Sequence, residues 1–252
     1  MVRLSFAHEN LKVYQRGLDS FAALQPLLSS WSKHNAFVDH LARALESILF
    51  NLAEATRLRQ PPKKLLTLEY SLGSTFECAA CVDIAVLKGL LDASVGIEEK
   101  QRLLEICRML IGLRNSWMRP KVSEEGCIYS TGQRDRPESS VFHHETLDMY
   151  KVALCFYRWL YSTEPGKRLA TGFTRSVDAL ATRVVLNIAE DNGRYAELSQ
   201  QGFLDTANTA TAKLAVSLDM GIRRNIWKHE EITDAKTLLE RIGQMTARKG
   251  YG

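Results

Sequence analysis

At 252 residues, with 45% hydrophobic and 25% charged residues, the chain has the make-up of a globular protein, which excludes a disordered one. The length suits two domains of the usual size, about 100–150 residues each, and no apolar run approaches the ~20 residues of a membrane span. A net charge of +4 and a pI near 8.8 permit nucleic-acid binding without demanding it.

Helical periodicity runs through the chain, and no alternating strand pattern stands out. The first helix is expected over about residues 9–28, with Leu11, Tyr14, Leu18, Phe21 and Leu24 as its apolar stripe. The second is expected over 36–58. Pro61-Pro62 then breaks the chain and can open the next helix, expected over 63–91. A fourth follows over 98–117, with Leu103, Ile106, Leu110 and Leu113 on one face. From Arg119 to His143 the pattern fails: Pro120, Gly126, Gly132 and Pro137 interrupt a polar stretch that reads as a linker. Four more helices are expected over 144–161, 168–191, 196–225 and 233–248.

The second set repeats the first. His8-Glu9-x-Leu11-x-x-Tyr14 returns as His144-Glu145-x-Leu147-x-x-Tyr150, and Asn51-Leu52-Ala53-Glu54 as Asn187-Ile188-Ala189-Glu190, both at an offset of 136. Ile97 and Leu103-Leu104-Glu105 find Ile232 and Leu238-Leu239-Glu240 at 135. A shared offset over so long a stretch indicates duplication of a whole domain. Short connections and one apolar face per helix specify up-down-up-down bundles. The expected fold is therefore all-α: a four-helix bundle over 1–118, a linker over 119–143, and a second, diverged bundle over 144–252.

A polar row marks the second helix. Arg43, Ser47, Asn51 and Glu54 are spaced to stack on one stripe, and the third helix offers Gly73, Ser74 and Glu77. Polar groups placed so must be hydrogen-bonded, and the structural reading is a network that fixes helix register. Arg43 or Asn51 is expected to reach Glu77; Asn187 and Glu190 are the counterparts in the second half.

Arg43-Ala44-x-x-Ser47-Ile48-x-x-Asn51-Leu52-Ala53-Glu54, then Gly73-Ser74-x-x-Glu77, resembles the signature of a bacterial four-helix-bundle family. That family holds the proteins encoded by intervening sequences in 23S ribosomal RNA genes and the accessory variability determinant (Avd) of diversity-generating retroelements. The opening Leu11-x-Val13-Tyr14-Gln15 fits its start, and the resemblance covers about residues 8–117. In the second half Ala179, Leu180 and Arg183 stand where Arg43, Ala44 and Ser47 stood, and Thr209, Ala210 and Lys213 replace Gly73, Ser74 and Glu77. The resemblance implies a non-enzymatic protein that self-associates through bundle surfaces; the odd, scattered set of cysteines points to a cytoplasmic one. It further implies an accessory that binds a reverse transcriptase and its RNA template or cDNA. The alternative it implies is a self-assembling scaffold of the 23S rRNA intervening-sequence type with no polymerase partner.

The residues themselves point to no catalysis, cofactor or metal. No His stands three residues after a Glu, as a bundle-core di-iron site requires. Cys78-x-x-Cys81 falls within a helix without a second pair at zinc spacing. The five cysteines, with Cys107, Cys127 and Cys155, read as reduced thiols, and the first eight residues do not form a secretory signal. His8 and His144 read as helix-start capping or packing groups. An enzyme with a bundle-core site is the reading left against the two binding ones. Basic clusters carry the binding expectation: Arg57, Arg59, Lys63 and Lys64 around Pro61-Pro62; Arg114, Arg119 and Lys121 after the fourth helix; Arg223, Arg224 and Lys228 late in the second half. Solvation of a helix face is the plain reading of each; contact with nucleic-acid phosphates is the sharper one. Residues 1–120 hold 15 Lys and Arg against 12 Asp and Glu, and residues 121–252 hold 18 against 17, so the first half is the more basic.

Overall fold

A computed structural model describes residues 6–118, 142–163, 171–192 and 197–250, without the side chains of 197–201 and 249–250. The expected linker thus lies outside the described residues except for Phe142 and His143, and so do Arg119 and Lys121. Among the described residues the chain is all-helical, with eight α-helices: α1 Lys12–Ser30, α2 Ala36–Arg57, α3 Pro61–Leu87, α4 Ala93–Met118, α5 Asp148–Ser162, α6 Gly172–Asp191, α7 Glu197–Arg223 and α8 Thr233–Gly250. Short 3-10 turns occupy Ala7–Asn10, His143–Thr146 and Glu230–Ile232.

The helix ends differ from the sequence expectation for local reasons. Glu9 does not open α1; its Oε2 accepts the Phe6 N–H at 3.0 Å and closes the first 3-10 turn. Leu11, extended at φ −85°, then resets the chain. Glu145 does the same for the Phe142 N–H at 3.0 Å, so α5 begins at Asp148 rather than His144. The third helix stops at Leu87, not Leu91, because Gly89 takes φ +67°. There the Leu90 N–H bonds Ala85 O and the Gly89 N–H bonds Val86 O, each at 2.9 Å, which is the Schellman closure. Asn225, at φ +55°, ends α7 with the same pair of bonds, Ile226 to Gly221 and Asn225 to Ile222.

Helix α1 packs against α2 and α4, and α3 joins α2 to α4; likewise α5 packs against α6 and α8, and α7 joins α6 to α8. The two sets meet where α3 and α2 pack on α6. One buried apolar cluster runs through both sets, from Leu24, Phe37, Leu41 and Ile48 to Phe156, Val185, Leu218 and Ile242. The face that α1 buries is Val13, Gly17, Ser20 and Leu24. Leu18, expected on the apolar stripe, stays 38% exposed. Helix α3 matches a membrane span in length and apolarity (mean hydropathy 1.3), but 67% of that window is buried within the protein, as in a core helix. Burial also follows a common spacing in α4 and α8. Leu103 and Leu239, Ile106 and Ile242, Leu110 and Thr246, each pair 136 residues apart, are all buried.

Gly221 is fixed by packing. A Cβ there would fall 2.3 Å from Cε3 and 2.5 Å from Cζ3 of the Trp227 indole, itself 3% exposed. At Gly17 the nearest atom, 2.6 Å away, is the mobile tip of Leu49. Gly221→Ala is expected to destabilise the protein by roughly 1–3 kcal/mol, overriding the ~1 kcal/mol helix-propensity gain, while Gly17→Ala stays near neutral. Urea unfolding of the two variants checks this; equal midpoints would refute it.

Candidate nucleic-acid interface and the seam between the halves

The polar row is a helix-to-helix fastening. Ser47 Oγ and Ser74 Oγ lie 2.7 Å apart, and Asn51 Nδ2 donates to Ser47 O and Oγ at 2.8 Å each. Ser71 Oγ donates to the Ile48 carbonyl at 2.8 Å. The small residues of α3 bring its backbone close enough for these bonds. The expected contact from Arg43 or Asn51 to Glu77 is not made. Glu77 Oε1 instead meets His40 Nδ1 at 2.8 Å, and Arg43 Nε pairs with Asp39 at 2.9 Å on the exposed side of α2. At ~100° per residue, His40 stands about 20° from Ser47 around the helix, and Arg43 about 40° to the other side. Glu54 is exposed, Glu190 is half-buried, and Asn187 Nδ2 bonds Arg183 O at 2.7 Å, the counterpart of Asn51 on Ser47 O.

The basic turn at Pro61 lies beside the end of α4. The Lys64 ammonium sits 3.9 Å from the Trp117 ring centroid, which places the start of α3 beside the end of α4. Arg114 Nε lies 3.5 Å from Glu69 Oε1, with both side chains largely covered. Arg114 is thus tied into the helix pair and is not presented to a ligand. Arg57, Arg59 and Lys63 are exposed around the Pro61 turn, and Lys64 is half-buried. Pro61 and Pro62 remove two of the N–H donors that a helix start normally offers, so side chains rather than backbone would hold an anion there. In the second half Arg223, Arg224 and Lys228 are exposed, and the Arg224 guanidinium lies 4.7 Å from the Phe173 ring centroid.

Two buried ionic clusters, which sequence reasoning missed, fasten the halves together. In the first, Lys100 Nζ lies 2.8 Å from Asp83 Oδ1 and 3.2 Å from Glu145 Oε1, while the Tyr150 hydroxyl donates to Asp83 Oδ2 at 2.9 Å. Burial opposes the Lys100 charge, but Asp83 and Glu145 outweigh it and hold its pKa above the ordinary value. Burial, with Asp83 beside it, pushes the Tyr150 phenol well up. Asp83, His144 and Glu145 bring metal-capable atoms within 4.8 Å of one another, yet the Lys100 ammonium already sits against both carboxylates. In the second cluster Lys88 Nζ lies 2.7 Å from both Asp178 Oδ1 and Asn35 Oδ1. Asp178 also accepts from the Tyr157 hydroxyl at 2.6 Å and the Ala36 N–H at 3.1 Å. Burial lowers the Lys88 pKa, and Asp178 resists that.

His144 is fully buried between Phe76, Phe142 and Tyr150, with ring centroids 5.6, 5.5 and 4.6 Å away. Among the described residues, neither ring nitrogen has a hydrogen-bond partner. Burial first, then the Lys100 charge, lowers its pKa to about 3. Cys78, Cys81 and Cys107 are free, buried thiols, whose pKa values burial pushes up, and Cys155 is free and exposed. Cys127 lies outside the described residues.

Residues 9–112 match the family of 23S rRNA-intervening sequence proteins. The match takes in the polar fastening and the basic turn at Pro61, and stops short of the second half. No curated protein and no solved structure gives a match. The signal that could have found the first ionic cluster was present in the sequence: Asp83 and Lys100 recur as Asp219 and Lys236 at the same offset of 136.

Proposed function

We propose that the protein is a non-catalytic tandem pair of up-down-up-down four-helix bundles, related by duplication, that binds nucleic-acid phosphates. The observation that carries the binding reading is the convergence of Arg57, Arg59, Lys63 and Lys64 at one end of α2–α4. The family match over 9–112 supports an intervening-sequence-type scaffold in the cytoplasm. The resemblance of the Arg43–Glu77 signature to Avd supports the narrower form, in which a reverse transcriptase joins the complex with its RNA or cDNA. Basic side chains without a stacking platform recognise the backbone and not the base sequence.

A fluorescently labelled RNA, titrated at 50 and 200 mM salt, tests the reading. Binding is expected at low salt. Replacing Arg57, Arg59, Lys63 and Lys64 with Ala is expected to weaken it by more than about tenfold and to lower the log–log salt slope by about 3. The same treatment of Arg223, Arg224 and Lys228 should have the smaller effect. No binding at 50 mM salt, or an unchanged slope in the fourfold variant, would defeat it. Co-purification with a polymerase separates the narrower form from the scaffold form.

A further inference from the structure

Each half carries the same two surfaces, and among the described residues only one of each kind is covered. The hook of the second half is Phe142, His144, Glu145 and Tyr150. It sits on a seat formed by α3 and α4. Phe142 packs 5.3 Å from Phe76, Glu145 reaches Lys100, and Tyr150 donates to Asp83. Ala80 and Ile84, on the same stretch of α3, are fully buried. The hook recurs 136 residues earlier as Phe6, His8, Glu9 and Tyr14, with the same internal geometry. Each Glu closes its 3-10 turn, and His8–Tyr14 repeats the T-shaped contact of His144–Tyr150 at 4.8 against 4.6 Å. The seat recurs 136 residues later, where Asp219 and Lys236 form the same salt bridge.

Among the described residues, the apolar tip of the first hook and the second seat are both open. Phe6 is 58% exposed, where Phe142 is 1% exposed; Val216 and Met220 are 59% and 44% exposed, where Ala80 and Ile84 are buried. Asp219 and Lys236 side chains are 59% and 40% exposed, against 15% and 9% for Asp83 and Lys100. We propose that the hook of one chain docks on the second-half seat of another copy, head to tail. Glu9 then meets Lys236, the Tyr14 hydroxyl meets Asp219, and Phe6 with Leu18 covers Val216 and Met220. The seat's apolar volume is rearranged rather than lost: Phe76 and Ala80 correspond to Ala212 and Val216, one turn apart on the same face. The second ionic cluster is not reproduced, because Lys88 and Asp178 correspond to Arg224 and Ala42. The contact between chains is accordingly weaker than the seam within one, and it dissociates on dilution. A head-to-tail contact closes into a ring or runs on as a filament. The inference rests on the equivalence of the two halves and is independent of nucleic-acid binding.

Sedimentation velocity over about 1–100 µM tests it with two variants, Phe6→Glu on the hook and Val216→Glu with Met220→Glu on the seat. Wild type is expected to exceed the monomer mass of 28.4 kDa as concentration rises. Each variant alone should be monomeric, its association weakened by about tenfold or more. Mixed together, the two should form a dimer that stops at two chains, since each keeps one intact surface. If either variant fails to hold its circular-dichroism melt, Glu9→Lys and Lys236→Glu take their places: each alone should be monomeric, and the mixture should assemble beyond a dimer, since the reversed hook fits the reversed seat and the native hook the native seat. Monomeric wild type throughout, variants that assemble as wild type does, or a mixture that stays monomeric would each overturn the proposal. The fourfold basic-end variant keeps the wild-type assembly, so loss of RNA binding and loss of docking are read separately.

Discussion

Acidification from pH 7 to pH 4.5 is expected to cost the fold about 3 kcal/mol through His144 alone. An imidazole in the unfolded chain binds a proton below pH ~6.5. In the folded protein, burial among three aromatic rings, with the Lys100 ammonium nearby, delays that proton until about pH 3. Between these values the unfolded state holds more protons, so stability falls as pH falls. The full loss, roughly 4–5 kcal/mol, is reached near pH 3. His144→Phe keeps an apolar ring in an apolar cage and removes the titration. Urea unfolding of wild type and His144→Phe at pH 7, 5.5 and 4.5 isolates the term, because other titrating groups contribute to both proteins. The gap between them should change in the variant's favour by about 3 kcal/mol over that range; parallel pH profiles would show that the buried imidazole is not responsible.

The helices were legible because each needs only a periodic apolar face and a stop signal, and both are local. Even so, the ends were set by groups whose role is visible only in the fold. Glu9 and Glu145 look like helix-opening acids, yet each closes a 3-10 turn ahead of its helix. Gly89, at positive φ, stops α3 at Leu87, four residues before the expected limit at Leu91. The stripe on α2 was read through Arg43, and the partner of Glu77 was missed, because charge suggested Arg43 while helix phase favoured His40. That the basic turn at Pro61 lies beside the end of α4 could not be read from the sequence, since it needs the antiparallel pairing that sets Lys64 on Trp117. The seam clusters were least legible. Lys88 and Asp178 are 90 residues apart and belong to no motif; what pairs them is the docking of α3 on α6.

That pairing sets the second large expectation, that Asp178→Ala destabilises the protein by about 3–5 kcal/mol. Asp178 neutralises Lys88 in a site where the two side chains are 2% and 0% exposed, and it also receives the Tyr157 hydroxyl and the Ala36 N–H. Removing it leaves an ammonium, a phenol and an amide without that acceptor, and water cannot replace it without opening the seam. The cost lies in breaking the pair, not in lacking one. Charges so placed gain little net stability over apolar groups of similar volume, because desolvation offsets their attraction. The double change Lys88→Met with Asp178→Leu is therefore expected to recover most of the loss. Asn35 keeps its side-chain bond to the Ser32 carbonyl. A double-mutant cycle in urea reads the coupling. If Asp178→Ala and Lys88→Met add without coupling, the pair does not hold the halves together. If they couple and the double variant unfolds in one transition, the halves stay joined by the apolar contact of α3 with α6. The ion pair then serves to fix how they dock and not whether they do.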